Sequence, residues 1–195
     1  MPVQIIAEIG INHNADLDLA IAMIREAAKS GADVIKFQTA VPELVQTKNA
    51  PMAEYQVKNT GKKVSQLEMS RNFHFPLEVF SFLKSEVESY NKIFMSTAFD
   101  LKSFDFLTGL GEEYFKIPSG ELTNLPYLRE IGSRAKKVLM STGMASWNEV
   151  QDALKVLLDC GLHKEQITIL QCNTEYPTPF EDVNKNFKFN AILTS

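Results

Sequence analysis

The sequence predicts an α/β protein of the TIM type, a (β/α)8 barrel represented here by about its first six βα units. Three observations lead there. Apolar runs of strand length alternate with longer stretches of helical spacing, the pattern of a parallel sheet with crossover helices. The first strand-to-helix turn, Gly10-Ile11-Asn12-His13-Asn14-Ala15, contains no GxGxxG, and no P-loop pattern occurs anywhere, which disfavours nucleotide-binding doubly wound sheets. Polar residues gather at the ends of successive apolar runs, the end at which a barrel keeps its active site.

The elements follow in order. Residues 3–9 form the first apolar run, closed by Gly10. Residues 16–30 show helical spacing, with Leu17, Ile21, Ile24 and Ala28 on one face and Gly31 as a stop. Residues 33–38 are the second strand. Residues 76–90 are a helix with Pro76 in its first turn and Val79, Phe80 and Leu83 apolar. Strands over 92–97, 114–117, 137–141 and 166–171 alternate with helices over 101–109, 126–133 and 147–160, the last capped by Ser146. Residues 40–72 interrupt this rhythm with Asn49, Pro51, Asn59 and Gly61; only 65–69 suggest a helical turn there.

The chain of 195 residues suits one domain, although a complete barrel typically needs about 250 residues. Composition is globular, with 45% hydrophobic and 23% charged residues. A net charge of −4 argues against a broad nucleic-acid-binding surface, so any anion site must be a local cluster of Lys or Arg. No apolar stretch is long enough to span a membrane, and the N-terminus lacks a signal-peptide pattern. Cys160 and Cys172 are too few for a disulfide framework, and a reducing cytoplasm is the expected compartment.

The lysines carry the most information. Lys36 lies between Ile35 and Phe37, and Lys116 between Phe115 and Ile117. Lysine is almost never fully buried without a partner, so each requires an anion: Glu8, Glu121 or a ligand. A structural ion pair and an anion site both meet that requirement. The neighbouring turns favour the anion site. Ser119-Gly120 offers a hydroxyl and an accessible amide beside Lys116, and Ser141-Thr142-Gly143 offers a second set, together a phosphate cradle. Lys36 and Thr97 would take a second anionic group such as a carboxylate, and Glu8 and Glu121 would orient lysines or bind hydroxyls.

Other residues read blandly. His74, between two Phe residues, suits packing or the surface, and His163 suits solvent. His13 lies in the first βα loop and is open to either role. No HxxH, HExxH or CxxC spacing exists from which to read a metal site. Cys172, with no histidine placed to activate it, reads as a small buried residue.

These strand ends resemble the N-acetylneuraminate (sialic acid) synthase family. The matching segments are Ala7-Glu8-Ile9-Gly10-Ile11-Asn12-His13-Asn14, Ile35-Lys36-Phe37-Gln38-Thr39, Met95-Ser96-Thr97-Ala98-Phe99-Asp100, Phe115-Lys116-Ile117-Pro118-Ser119-Gly120-Glu121, Ser141-Thr142-Gly143-Met144 and Asn173-Thr174-Glu175-Tyr176-Pro177-Thr178-Pro179. They cover residues 3–184 in order. The Gln171-Cys172-Asn173-Thr174-Glu175-Tyr176 version more closely resembles the branch making legionaminic-type sugars.

The resemblance implies condensation of phosphoenolpyruvate (PEP) with an N-acylated hexosamine, N-acetylmannosamine or a diacetamido hexose, to a nine-carbon 2-keto sugar acid plus phosphate. Lys116, Ser119, Gly120 and Ser141 would hold the PEP phosphate. Lys36 and Thr97 would hold its carboxylate, with Gln38 nearby and Glu8 in support. Glu121, Thr174 and Tyr176 would face the sugar. A divalent metal, manganese or magnesium, would polarise the sugar aldehyde. The family is homodimeric, and an antifreeze-like C-terminal domain lends an arginine to the partner's site. That domain and the two metal-binding histidines fall beyond residue 195, so residues 1–195 are expected to be an incomplete synthase barrel, a truncated chain or fragment without synthase activity of its own. Two other readings remain: a Schiff-base aldolase using Lys36 or Lys116, and a non-catalytic remnant or assembly partner.

Overall fold

The computed structural model describes residues 3–48, 50, 65–174, 178–182 and 193–194. It divides into two compact units, Met1–Leu110 and Gly111–Ser195. Both are α/β with parallel strands.

The first unit carries β1 (Ile6–Gly10), β2 (Val34–Thr39) and β3 (Ile93–Ala98) in that spatial order. Its helices among the described residues are α1 (Leu17–Lys29), α2 (Pro42–Val45), α3 (Gln66–Arg71), α4 (Val79–Ser89) and α5 (Leu101–Gly109). Register puts Glu8 beside Lys36 and Lys36 beside Met95, with Gln38 beside Thr97. Side chains alternate along a strand, so Glu8, Lys36, Gln38 and Thr97 share one face. Ile35, Phe37 and Phe94 occupy the other. There Phe37 stacks on Phe94 at 5.9 Å and meets the edge of Phe80 from α4 at 6.5 Å. These rings and Leu83 are buried, each worth roughly 1.5–3 kcal/mol of hydrophobic stabilisation.

Several boundaries differ from expectation. The first strand begins at Ile6, because Val3 and Ile5 are exposed despite their apolar character. In α1 the buried pair is Ala20 and Ile24, one turn apart, while Leu17 is exposed. Pro76 precedes α4, in the turn that leads into Val79, instead of occupying its first turn. Two short helices lie in the stretch 40–72: α2, opened by Pro42 and not expected, and α3, which meets the turn suggested at 65–69 and is capped by the Ser65 hydroxyl accepting from the Glu68 amide at 3.1 Å. Residues 49 and 51–64 of that stretch lie outside the described residues.

The second unit carries β4 (Tyr114–Ile117), β5 (Lys137–Ser141), β6 (Ile167–Cys172) and β7 (Leu193–Thr194), hydrogen-bonded in sequence order. The two-residue β7 was not expected from the sequence; it pairs in parallel with Gln171 and Cys172. Between the strands lie α6 (Leu125–Arg134) and α7 (Trp147–Asp159). Ser146 caps α7 in a reciprocal box: its hydroxyl accepts from the Glu149 amide, and Glu149 accepts the Ser146 amide at 2.7 Å. Phe115, Ile117, Val138 and Met140 form a buried apolar face, and Lys116, Leu139 and Ser141 stand on the other. Among the described residues, no helix is long and apolar enough to cross a membrane.

Candidate functional site

In the first unit the polar face is built around Lys36. Its ammonium pairs with the Glu8 carboxylate on the adjoining strand, so the partner the sequence required is Glu8. The Lys36 side chain is 9% exposed and that of Glu8 45%. Gly10, at φ +58°, lets the chain close on these groups: a Cβ there would lie 3.0 Å from Glu8 Oε1 and 3.3 Å from Gln38 Nε2. Thr97 is buried beside Gln38 on the same face. On the opposite face, Thr39 and Ser96 satisfy each other at 2.7 Å.

The loop after Gly10 is anchored by His13. The ring is fully buried, stacks on Phe75 at 4.3 Å and lies 6.0 Å from Phe37. Its Nδ1 accepts the Ala15 amide at 3.1 Å. Asn14 and Ala15 both hold left-handed backbone, at φ 50° and 54°, which costs a non-glycine residue such as Ala15 about 1–2 kcal/mol. Burial holds the His13 pKa down at about 4; repulsion from His74 adds to this, and the Gly10 backbone opposes it. His13 is thus a packing residue on the helix-covered side.

In the second unit the C-terminal ends of β4, β5 and β6 bring together Ser119, Ser141, Gly143 and Thr174. The Gly143 amide donates to Ser119 Oγ at 2.8 Å. A Cβ on Gly143 would stand 2.7 Å from the Thr174 methyl and 2.9 Å from Ser119 Oγ, so only glycine fits. The Cys172 thiol donates to Ser141 Oγ at 3.1 Å. Cys172 is half-buried, which corrects the expectation of a buried residue: it ends β6 at a polar edge. Lys116, on β4, donates to the Ile117 carbonyl at 3.1 Å. Around Gly120 the space is open, since a Cβ there would meet nothing within 4 Å. Glu121 Oε2 accepts from Asn124 at 2.6 Å, tying that carboxylate to the residue that caps α6.

The expected residues therefore fall into two sets. Glu8, Lys36, Gln38 and Thr97 share a sheet face in one unit; Lys116, Ser119, Gly120, Ser141 and Thr174 belong to the other, with Glu121 turned to its own helix. Tyr176 lies outside the described residues. Sequence reasoning missed Asp100, whose carboxylate accepts the Val41 and Ser103 amides and the Ser103 hydroxyl at 2.7–2.8 Å. An Asp directly before a helix is the signal that would have found it. His74 and His163 behave as expected: the first bonds the Ser70 carbonyl at 2.9 Å, and the second is exposed.

Among the described residues no group of three His, Cys, Asp or Glu side chains is placed to hold a metal ion. His13 has its Nδ1 engaged by Ala15 and its ring enclosed by phenylalanines. The donors for the metal that the resemblance implies do not fit within these residues.

The chain is similar to known proteins. The family model described as "NeuB family" matches residues 23–188. The chain is 47% identical to an N,N'-diacetyllegionaminic acid synthase of Campylobacter jejuni, over 92% of this chain and 54% of the relative. It is 40% identical to the enzyme of that name from Legionella pneumophila, over 92% of this chain and 51% of the relative. It thus spans about half the length of the curated relatives it matches. Among solved structures it resembles an N-acetylneuraminic acid (sialic acid) synthetase from Leptospira borgpetersenii, with TM-score 0.78 and 29% identity, covering 94% of this chain and 59% of that one. With the family model matching residues 23–188 and a relative 47% identical over 92% of its length, the chain belongs to the NeuB family.

Proposed function

We propose that this chain forms the PEP-binding part of a synthase that joins PEP to an N-acylated hexosamine, N-acetylmannosamine or a diacetamido hexose. The products are a nine-carbon 2-keto sugar acid and phosphate. The two parallel sheets are read as successive stretches of one TIM-type barrel, and cytoplasm, where PEP is made, as its compartment. The observation that carries the reading is the pair of serines at the strand ends of the second unit: the Gly143 loop closes onto Ser119, and Ser141 ends β5, the strand paired with the β4 strand that carries Lys116.

In this reading Lys116, Ser119, Gly120 and Ser141 bind the phosphate. Lys36 and Thr97 bind the carboxylate near Gln38, and Glu8 keeps the Lys36 ammonium aimed along its sheet face. Thr174, Tyr176 and the Glu121 carboxylate oxygen that Asn124 leaves over face the acceptor sugar. Carbon 3 of PEP attacks the open-chain aldehyde, whose oxygen takes a proton and becomes a hydroxyl. Positive charge develops at carbon 2. Water adds there and loses one proton, and the resulting hydroxyl passes its other proton to the departing phosphate as the C–O bond breaks to leave the ketone. The lysines chiefly position and neutralise a substrate of multiple negative charge. A divalent metal, which the resemblance implies, would supply Lewis-acid activation of the aldehyde, and no cluster among the described residues would hold it.

Calorimetric titration of PEP into the 195-residue chain tests this. Saturable binding, weakened by Lys116→Ala, by Ser141→Ala and by Lys36→Met, is the expected result. Binding that none of the three substitutions alters would overturn it.

A further inference from the structure

A serine hydroxyl is one donor and two acceptor sites, and a phosphate dianion only accepts. A serine therefore helps a phosphate only when its own proton is not already given to the protein. The second unit sorts its hydroxyls by this criterion. The Thr142 hydroxyl donates to the Leu170 carbonyl at 2.9 Å, so its proton is engaged. Ser119 Oγ instead receives the Gly143 amide at 2.8 Å, and an amide cannot act as acceptor in that contact. Ser141 Oγ receives the Cys172 thiol at 3.1 Å. A second acceptor near the thiol, the Leu170 carbonyl, is farther at 3.6 Å and already holds the Thr142 proton.

We propose that the Gly143 amide and the Cys172 thiol are positioning groups: each donates into a serine oxygen, so that Ser119 and Ser141 turn their protons toward the phosphate of PEP. This rests on the phosphate-cradle reading above and adds to it the groups that set hydroxyl direction. Cys172 then matters as a donor, acting through Ser141, without touching substrate. Gly143 matters twice, as donor and as the one residue whose missing side chain lets the loop reach Ser119.

The thiol gives a direct readout. In a chain carrying Cys160→Ala, so that one thiol remains, the Raman S–H stretch of Cys172 should lie at lower frequency than when Ser141→Ala is added. An identical frequency in both would overturn the assignment. Titration with PEP then separates the two layers of the argument. Cys172→Ala should weaken PEP about three- to tenfold, the range expected for one hydrogen bond, and Cys172→Ser, which restores a donor, should recover most of that. Added to Ser141→Ala, Cys172→Ala should cost nothing further. Cys172→Val fills the space without a donor and replaces Cys172→Ala if that variant lacks a cooperative melt. If Ser141→Ala leaves PEP affinity unchanged, or the unaltered chain does not bind PEP, the cradle reading fails and the proposal with it. If Ser141→Ala weakens binding while Cys172→Ala and Cys172→Val do not, the cradle stands and the positioning role is overturned.

Discussion

Lys36 and Glu8 face each other across the β1–β2 pair, the ammonium side chain nine-tenths buried and the carboxylate nearly half open to solvent. Their roles in stability are consequently unequal. Removing the Glu8 charge leaves a buried cation without its counter-ion, a change that costs up to 3–5 kcal/mol in a fully buried pair. Solvent around Glu8 reduces this, and we expect Glu8→Gln to cost about 1–3 kcal/mol. Lys36→Met removes the buried charge and leaves a carboxylate that water reaches, so we expect a change within about 1 kcal/mol. Urea unfolding of the two variants measures the difference; Lys36→Met the more damaging of the two would refute the unequal-burial account.

Gly143→Ala should be disruptive out of proportion to one methyl group. The added carbon would press on the Thr174 methyl at 2.7 Å and on Ser119 Oγ at 2.9 Å, so the loop must withdraw from Ser119. Overpacking of this kind typically costs about 1–3 kcal/mol. Thr174→Ser removes the nearer obstacle and should restore part of the lost stability in the double variant. Thermal unfolding of the single and double variants tests this, and additive losses would contradict it.

The alternation of strands and helices was legible because parallel sheets write themselves as apolar runs separated by amphipathic stretches. Lys36 and Lys116 stood out for the same reason: a cation in mid-strand must sit on the face opposite its apolar neighbours. The identity of Lys36's partner was legible only as a choice, since register between strands 28 residues apart is set in three dimensions. Other features left no periodic trace. The α2 helix is four residues long, too short for a hydrophobic stripe, and β7 is two. The contact between Cys172 and Ser141 spans 31 residues and depends on β5–β6 register, so Cys172 read as merely small and buried. Val3 and Ile5 misled in the other direction, because apolar character does not oblige burial.

Asp100 joins two segments by accepting the Val41 amide, the Ser103 amide and the Ser103 hydroxyl while itself buried. Asp100→Ala should therefore cost more than an exposed helix cap, about 2–4 kcal/mol, because two main-chain donors lose their acceptor. Asp100→Asn retains one oxygen and should lie between the two. Equilibrium unfolding gives the values; a loss below about 0.5 kcal/mol for Asp100→Ala would show that water replaces the carboxylate.

His13 makes stability depend on pH in a fixed direction. Its imidazole is buried, accepts the Ala15 amide through Nδ1 and has a pKa near 4, against about 6.5 for an exposed histidine. Between those values the unfolded chain binds a proton that the folded chain refuses. The neutral ring's contribution is therefore complete above about pH 6.5, declines as pH falls, and is gone below about pH 4, a total on the order of 3 kcal/mol. His13→Asn keeps a side-chain acceptor within reach of the Ala15 amide but does not titrate. Its stability at neutral pH should be lower, through lost stacking on Phe75, yet it should decline less steeply toward acid. Urea unfolding at a series of pH values gives both slopes, and proton NMR of the folded chain reports the ring directly. Parallel slopes, together with a His13 resonance titrating near 6.5, would show that the ring protonates freely in the folded protein.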